Sequence, residues 1–320
     1  MAEEKVLDKN WAPSPEQFQM EMIKKIADNN LWYQKLGPKA EVDISRITGN
    51  PPANTLAQSD LDKGNPVIFT VYTFVPRSLD KSRKEQAPSM LLIHGGIHAN
   101  FDSASFAHIV EELVDRGITV IAPDYRGSTG YGALTYKLID YGGEEVEDVL
   151  AAKDWALASF PFLDPKRVGI MGWSHGGMIT LLSIFRHPGV YKAAFAGVPV
   201  SDIITRLGYH QATYNNMYAA DYHMGKYPWE DLQEYLRRSP AWNVDKFDDD
   251  TPLLIHTNTT DEDVNVIEVK QLIRALKAEN KKFEYEIFEA VPGGHMFDRI
   301  DTVEGRAIRN KIWDFFEKNL

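Results

Sequence analysis

The chain has 320 residues, 43% of them apolar and 25% charged, with a formal net charge of −11. That is enough ordinary globular sequence for one large domain, and a field of that sign disfavours nucleic acid and anionic membranes as partners. The absence of cysteine excludes disulfides, thiolate catalysis and zinc–thiolate sites together, and no apolar run approaches the roughly 18 residues of a membrane-spanning helix.

In chain order, MAEEKVLDKN shows no basic stretch leading into an apolar one, so a cytoplasmic protein is expected; a leader already trimmed away would move that expectation to the periplasm or outside. Residues 1–50 read as helical. Ser14-Pro15-Glu16-Gln17 offers an N-cap, a first-turn proline and a capping glutamine, and Phe18, Met22, Ile23 and Ile26 follow at helical spacing. We take 1–64 as an N-terminal helical arm that packs on the main domain, a role in dimer formation or in capping a site remaining open. From Val67 the text turns to strand: VIFTVYTFVP is rich in β-branched and aromatic residues and stops at Pro76.

Strands and helices then alternate. Strands are predicted at 90–94, 118–124, 167–171, 193–199, 252–258 and 283–289, with helices over 103–116, 144–159, 176–186, 266–280 and 302–319. Continuous apolar strands alternating with helices predict an α/β fold, a mostly parallel sheet covered on both faces. Residues 65–320 thus read as one domain, interrupted by an aromatic-rich insertion at 205–245 that includes Tyr209, Tyr214 and Tyr218.

Gly172-Trp173-Ser174-His175-Gly176 matches G-x-S-x-G, and its context matters more than the match. An apolar strand runs in and an apolar helix runs out, the strand–turn–helix that exposes a nucleophilic serine. The alternative, a glycine-rich turn of a nucleotide-binding domain, has no G-x-G-x-x-G or phosphate-loop lysine beside it. The fold orders the triad as Ser, acid, His. His295, on a Gly-Gly loop after the final predicted strand, is the expected base. After the strand ending at 258 come Asp261, Glu262 and Asp263, of which Asp261 is the preferred acid and Asp263 the second candidate. The amide of His175 and that of Gly96 or Ile97, in the loop after His94, are the expected oxyanion donors. His256 reads as structural, His187 as a helix cap, and Arg126 as a loop brace more than a substrate contact. Trp173 and the insertion's Tyr209, Tyr214 and Tyr218 are the candidates for lining a substrate pocket.

With these residues in hand, the chain resembles the catalytic domain of the prolyl oligopeptidase family, which includes dipeptidyl and acylaminoacyl peptidases. The resemblance covers roughly 65–320 and rests on HGG at 94–96, Asp124-Tyr125-Arg126-Gly127-Ser128-Thr129-Gly130-Tyr131-Gly132, GWSHGG at 172–177, Ser239-Pro240, Asp261-Glu262-Asp263-Val264 and Gly294-His295. It implies the α/β-hydrolase fold, the triad Ser174, Asp261 and His295, with Asp261 selected by its spacing to the valine, and acyl transfer needing no metal or cofactor. Family peptidases carry a β-propeller, and the roughly 65 residues before the hydrolase domain are too few for one. On that ground a carboxylesterase acting on small esters is expected. The alternatives are a serine exopeptidase acting on short peptides and, from another class, a non-catalytic binding protein on a hydrolase scaffold.

Overall fold

The structure, a computed structural model, describes residues 12–54, 64–211 and 213–320. Among these residues the strands β1 (Ala40–Thr48), β2 (Ile68–Pro76), β3 (Ala87–Ile93), β4 (Thr119–Asp124), β5 (Leu163–Trp173), β6 (Ala193–Gly197), β7 (Leu253–Asn258) and β8 (Glu284–Phe288) form one sheet, ordered β1-β2-β4-β3-β5-β6-β7-β8. From β4 through β8 all neighbours are parallel, while β2 is antiparallel to both β1 and β4. This is the α/β-hydrolase arrangement, and it follows from strands apolar on both faces: β4 and β7 are buried along their whole length.

Helices cover both faces. On one side lie α1 (Pro15–Leu36), α2 (Ser103–Asp115) and α10 (Val303–Asn319), which share a core through Trp32, Phe106, Ile109, Trp313 and Phe316. On the other lie α4 (Glu145–Ser159), α5 (His175–Arg186) and α9 (Val266–Ala278), packed through Val149, Ile179 and Leu272. The short helix α3 (Gly132–Tyr136) precedes α4. Above the carboxyl ends of the strands the insertion folds as α6 (Ile203–Tyr209), α7 (Thr213–Ala219) and α8 (Leu232–Arg238).

The helical reading of residues 1–50 is corrected in its second half. The predicted capping box forms, with Gln17 donating to the Ser14 hydroxyl and receiving the Ser14 amide, but residues 40–48 are the edge strand β1, paired in register with β2 from Ala40↔Pro76 to Thr48↔Ile68. Gly37-Pro38 ends the helix, and Val42 and Ile44, two residues apart, then pack on the same core as Trp32. The first eleven residues of the arm lie outside the described residues, as do 55–63.

The apolar stripe of α1 also differs from expectation. Ile23 and Ile26 are 63% and 64% exposed, whereas Phe18, Lys25, Trp32 and Leu36 are buried. Lys25 decides this rotation. Its ammonium enters the fold to meet Asp124 at 2.7 Å and donates to the Phe101 carbonyl at 2.7 Å. A buried carboxylate without a cation would be costly, so the ion pair outranks a better apolar count.

Candidate active site

Strand β5 ends at Trp173, and the chain turns at Ser174 with φ 59° and ψ −122°, a strained conformation for a residue with a side chain. The turn is possible because of what flanks it. A methyl at Gly172 would press on the Gly176 backbone, and one at Gly176 on the Ile93 carbonyl. Helix α5 starts directly after Ser174, so its amino terminus faces the hydroxyl.

Asp261 lies in the turn after β7. Its Oδ1 accepts the amides of Asp263 and Val264, each at 2.9 Å. Its Oδ2 meets Nδ1 of His295 at 2.7 Å. Backbone donors thus fix one oxygen and leave the other for the imidazole, whose Nδ1–H donates. His295 is carried on the loop after β8, where Gly293 and Gly294 adopt φ 107° and 53°. Asn258 at the end of β7 donates to the Val291 carbonyl at 2.8 Å and ties the acid and histidine loops together.

Asp263 is not idle. Its Oδ2 stands 3.5 Å from Nε2 of His295, while Arg206 of α6 holds its Oδ1 at 2.8 Å and its carbonyl at 2.8 Å. His210 and Tyr209 also reach that carbonyl, at 2.9 and 3.3 Å. Arg206 and His295 together keep the Asp263 carboxyl below its usual range against the opposing effect of burial. The described hydrogen bonds of the His295 ring go to Asp261, and none joins it to Ser174.

The loop after β3 sits against Ser174: a Cβ on Gly95 would lie 3.2 Å from that of the serine. Gly96 takes φ 84°, a left-handed turn suited to glycine, and its carbonyl meets Nδ1 of His175 at 2.9 Å. The other His175 nitrogen faces Glu145 at 2.8 Å. His94 braces the loop through Ser128 at 3.0 Å, and the Tyr125 hydroxyl donates to the His94 carbonyl at 2.9 Å. The 124–132 stretch is therefore the scaffold of this loop. Asp124 also accepts the Phe101 amide at 2.6 Å, and the Arg126 guanidinium makes paired bonds to Asp148 at 2.7 and 2.8 Å. His256 is buried between Phe195 and Phe288, and burial pushes its ring down to about 3. His187 follows α5 and meets Glu147 at 3.0 Å.

The pocket-lining expectations fare unevenly. Trp173 is fully buried and its indole N–H donates to Asp298 at 2.7 Å. It packs beneath the turn because side chains alternate along β5 and its neighbour Ser174 takes the outward position. Tyr218 is likewise buried, edge-on to Tyr141 at 5.0 Å. Tyr209 ties α6 to α9 through Glu268 at 2.7 Å, and Tyr214 stacks on His210 at 4.0 Å. Aromatic content alone carried no signal for these roles, nor for the Arg206–Asp263–His295 chain, which joins helix α6 to the loops after β7 and β8.

Fold and site geometry together define an α/β-hydrolase of the serine hydrolase class. The description of the prolyl oligopeptidase family matches residues 104–320. The chain is 31% identical over 239 residues to the uncharacterized peptidase YuxL of Bacillus subtilis, an alignment covering 73% of this chain and 35% of that one. It is 29% identical over 246 residues to the acylamino-acid-releasing enzyme of Arabidopsis thaliana, covering 75% and 31%. In structure it is similar to the Pyrococcus horikoshii acylaminoacyl peptidase, with a TM-score of 0.71 at 20% identity, covering 91% of this chain and 44% of that one. The chain belongs to the prolyl oligopeptidase family. It spans about a third of the length of the curated relatives it matches. Of these relatives one is a peptidase by name and the other is named for releasing acylamino acids; neither is named as the expected carboxylesterase. Among the described residues no helix is long and apolar enough to cross a membrane.

Proposed function

We propose that this chain is a serine-type peptidase that cleaves short peptides by acyl transfer, with residues 65–320 as its catalytic domain. Ser174 attacks the scissile carbonyl. His295 takes the serine proton on Nε2 and returns it to the leaving amine, while Asp261 holds the ring by Nδ1 and stabilises the imidazolium. Asp263, 3.5 Å from Nε2, adds a second negative charge facing the same cation. The amides of His175 and of Gly96 or Ile97 receive the oxyanion. Water then releases the acyl group.

The observation that carries this reading is the 2.7 Å Asp261–His295 bond, set beside a serine strained to φ 59°. Such strain is kept where a turn has work to do. The names of the relatives support a peptide over an ester substrate. The test compares a fluorophosphonate probe, p-nitrophenyl esters and peptide p-nitroanilides on wild type and Ser174→Ala. Probe labelling and anilide turnover should both vanish in the variant, a loss of at least about 10⁴-fold. Turnover that survives in a folded Ser174→Ala protein would refute the mechanism. Ester turnover without any anilide cleavage would restore the esterase reading.

A further inference from the structure

The loop after β3 opens with Gly95 and Gly96, and glycine backbone is the freest in a chain. An oxyanion donor is useful only if it is already in place when charge develops, so such a loop needs a hold from outside. Gly96 takes φ 84°, and its carbonyl meets Nδ1 of His175 at 2.9 Å. A carbonyl only accepts, so Nδ1 carries a proton and donates it. That bond sets the plane of the peptide joining Gly96 to Ile97, and the amides of these two residues are the candidates for the second donor.

The imidazole is itself gripped. Its Nε2 meets Oε2 of Glu145, the first residue of α4, at 2.8 Å, and the same oxygen accepts the Gly142 amide at 3.1 Å. The other Glu145 oxygen is buried without a partner among the described residues, so the bonding of the carboxylate is directed to the ring side. Tyr141 stacks on the ring with centroids 4.0 Å apart, and Tyr125 packs edge-on at 5.6 Å. The Tyr125 hydroxyl lies 3.4 Å from Nδ1 but donates to the His94 carbonyl at 2.9 Å, so it does not compete for Gly96. His175 and Glu145 are both buried. Enclosing an imidazole and a carboxylate carries a desolvation cost that a leucine or phenylalanine in the same space would avoid. An apolar side chain, however, offers nothing to a backbone carbonyl.

We propose that His175, oriented by Glu145, is a positioning residue for acyl transfer: its ring clamps the Gly96 carbonyl and so preorganises the loop after β3. One residue then serves the oxyanion twice, with its backbone amide as a donor and its side chain as the strut that places the other donor. The inference rests on the reading of Ser174 as nucleophile and deepens it. Because both side chains are enclosed, losing the clamp acts on the transition state and leaves ground-state binding of substrate alone.

The experiment uses the full chain. His175→Phe and His175→Leu remove the ring donor at two different bulks, and His175→Asn returns an N–H near the position of Nδ1. Melting curves establish which variants are folded. Both donorless variants should lose kcat on a peptide p-nitroanilide by at least about tenfold, towards the roughly 10²–10³ that loss of a whole oxyanion donor costs. Their KM should stay within about threefold of wild type. The affinity of a peptide trifluoromethyl ketone, which forms an oxyanion on the serine it captures, should weaken by a similar factor, while equilibrium binding of the matching peptide amide holds. His175→Asn should recover most of the loss. A purely structural role would lower the melting temperature without separating kcat from KM. Folded donorless variants that keep kcat within about twofold of wild type, or an Asn variant no faster than they are, overturn the clamp. Fluorophosphonate labelling separates the two levels of the argument. A wild type that the probe leaves unlabelled would sink the Ser174 reading and the clamp with it; a labelled wild type whose labelling rate is unaltered in both donorless variants sinks the clamp alone.

Discussion

Helix α1 and the 205–245 insertion both lie outside the alternating sheet, and both reach the site, but they are fastened differently. Helix α1 is held by one buried ion pair, Lys25–Asp124 at 2.7 Å, and by Trp32 stacked on Phe101 with centroids 4.8 Å apart. Its contact with the proposed chemistry is indirect, since Lys25 grips Asn100 and Phe101, just beyond the loop after β3. The insertion is fastened by a polar network in which Arg206, Tyr209 and His210 all hold Asp263, and Asp263 itself faces the His295 ring. A fault in the first fastening should therefore register in stability, and a fault in the second in turnover.

The largest expected effect tests the first half of that contrast. Lys25→Met strands a carboxylate that is fully enclosed, and loss of one partner of a buried pair costs about 3–5 kcal/mol. Denaturant unfolding should show it, and a cost under about 1 kcal/mol would mean that apolar packing holds the helix without the ion pair.

A second test concerns pH. Burial raises the Glu268 carboxyl from its ordinary 4.5 to about 7, against the opposing pull of Arg206 and the Tyr209 hydroxyl. A raised carboxyl favours the folded state most when protonated. Its contribution is complete below pH 4.5 and is lost as pH climbs through about 7, a span of about 3 kcal/mol. Glu268→Gln should flatten stability across that window and be the more stable form above it. Unfolding curves at pH 5 and pH 8 that move in parallel for both proteins would contradict this.

The smallest effect sharpens the second half. Asp263 is 43% exposed, so Asp263→Asn should change stability by less than about 1 kcal/mol. In the proposed mechanism the variant removes a charge next to the His295 imidazolium. A kcat lower by roughly three- to tenfold is expected, equivalent to about 1 kcal/mol. An unchanged kcat would reduce Asp263 to a strut for Arg206.

How much of this was legible beforehand depends on range along the chain. The serine turn could be read because its requirements are local: glycines at 172 and 176, an apolar strand before them and an apolar helix after. The succession of strands and helices along the chain and the histidine loop followed from the same alternation. Strand β1 was missed because its Val42 and Ile44 follow a helix without a long connection, and a short apolar pair does not separate strand from helix by itself. The stripe of α1 was misjudged because Lys25 counts as a surface residue until Asp124 is known to sit opposite it.

Residues that share a turn constrain one another through backbone geometry, so the sequence by itself determined the fold class, the Ser174 elbow and the acid-then-histidine order. Residues a hundred positions apart meet only when the sheet brings their loops together. Only the tertiary structure decided that Asp263 faces His295 from the far side of the ring, that Trp173 points into the core, and that the His175 ring meets the Gly96 carbonyl. Charge and hydrogen-bond complementarity act over a few ångströms in space, and pattern along the chain does not record which distant groups will come within that range.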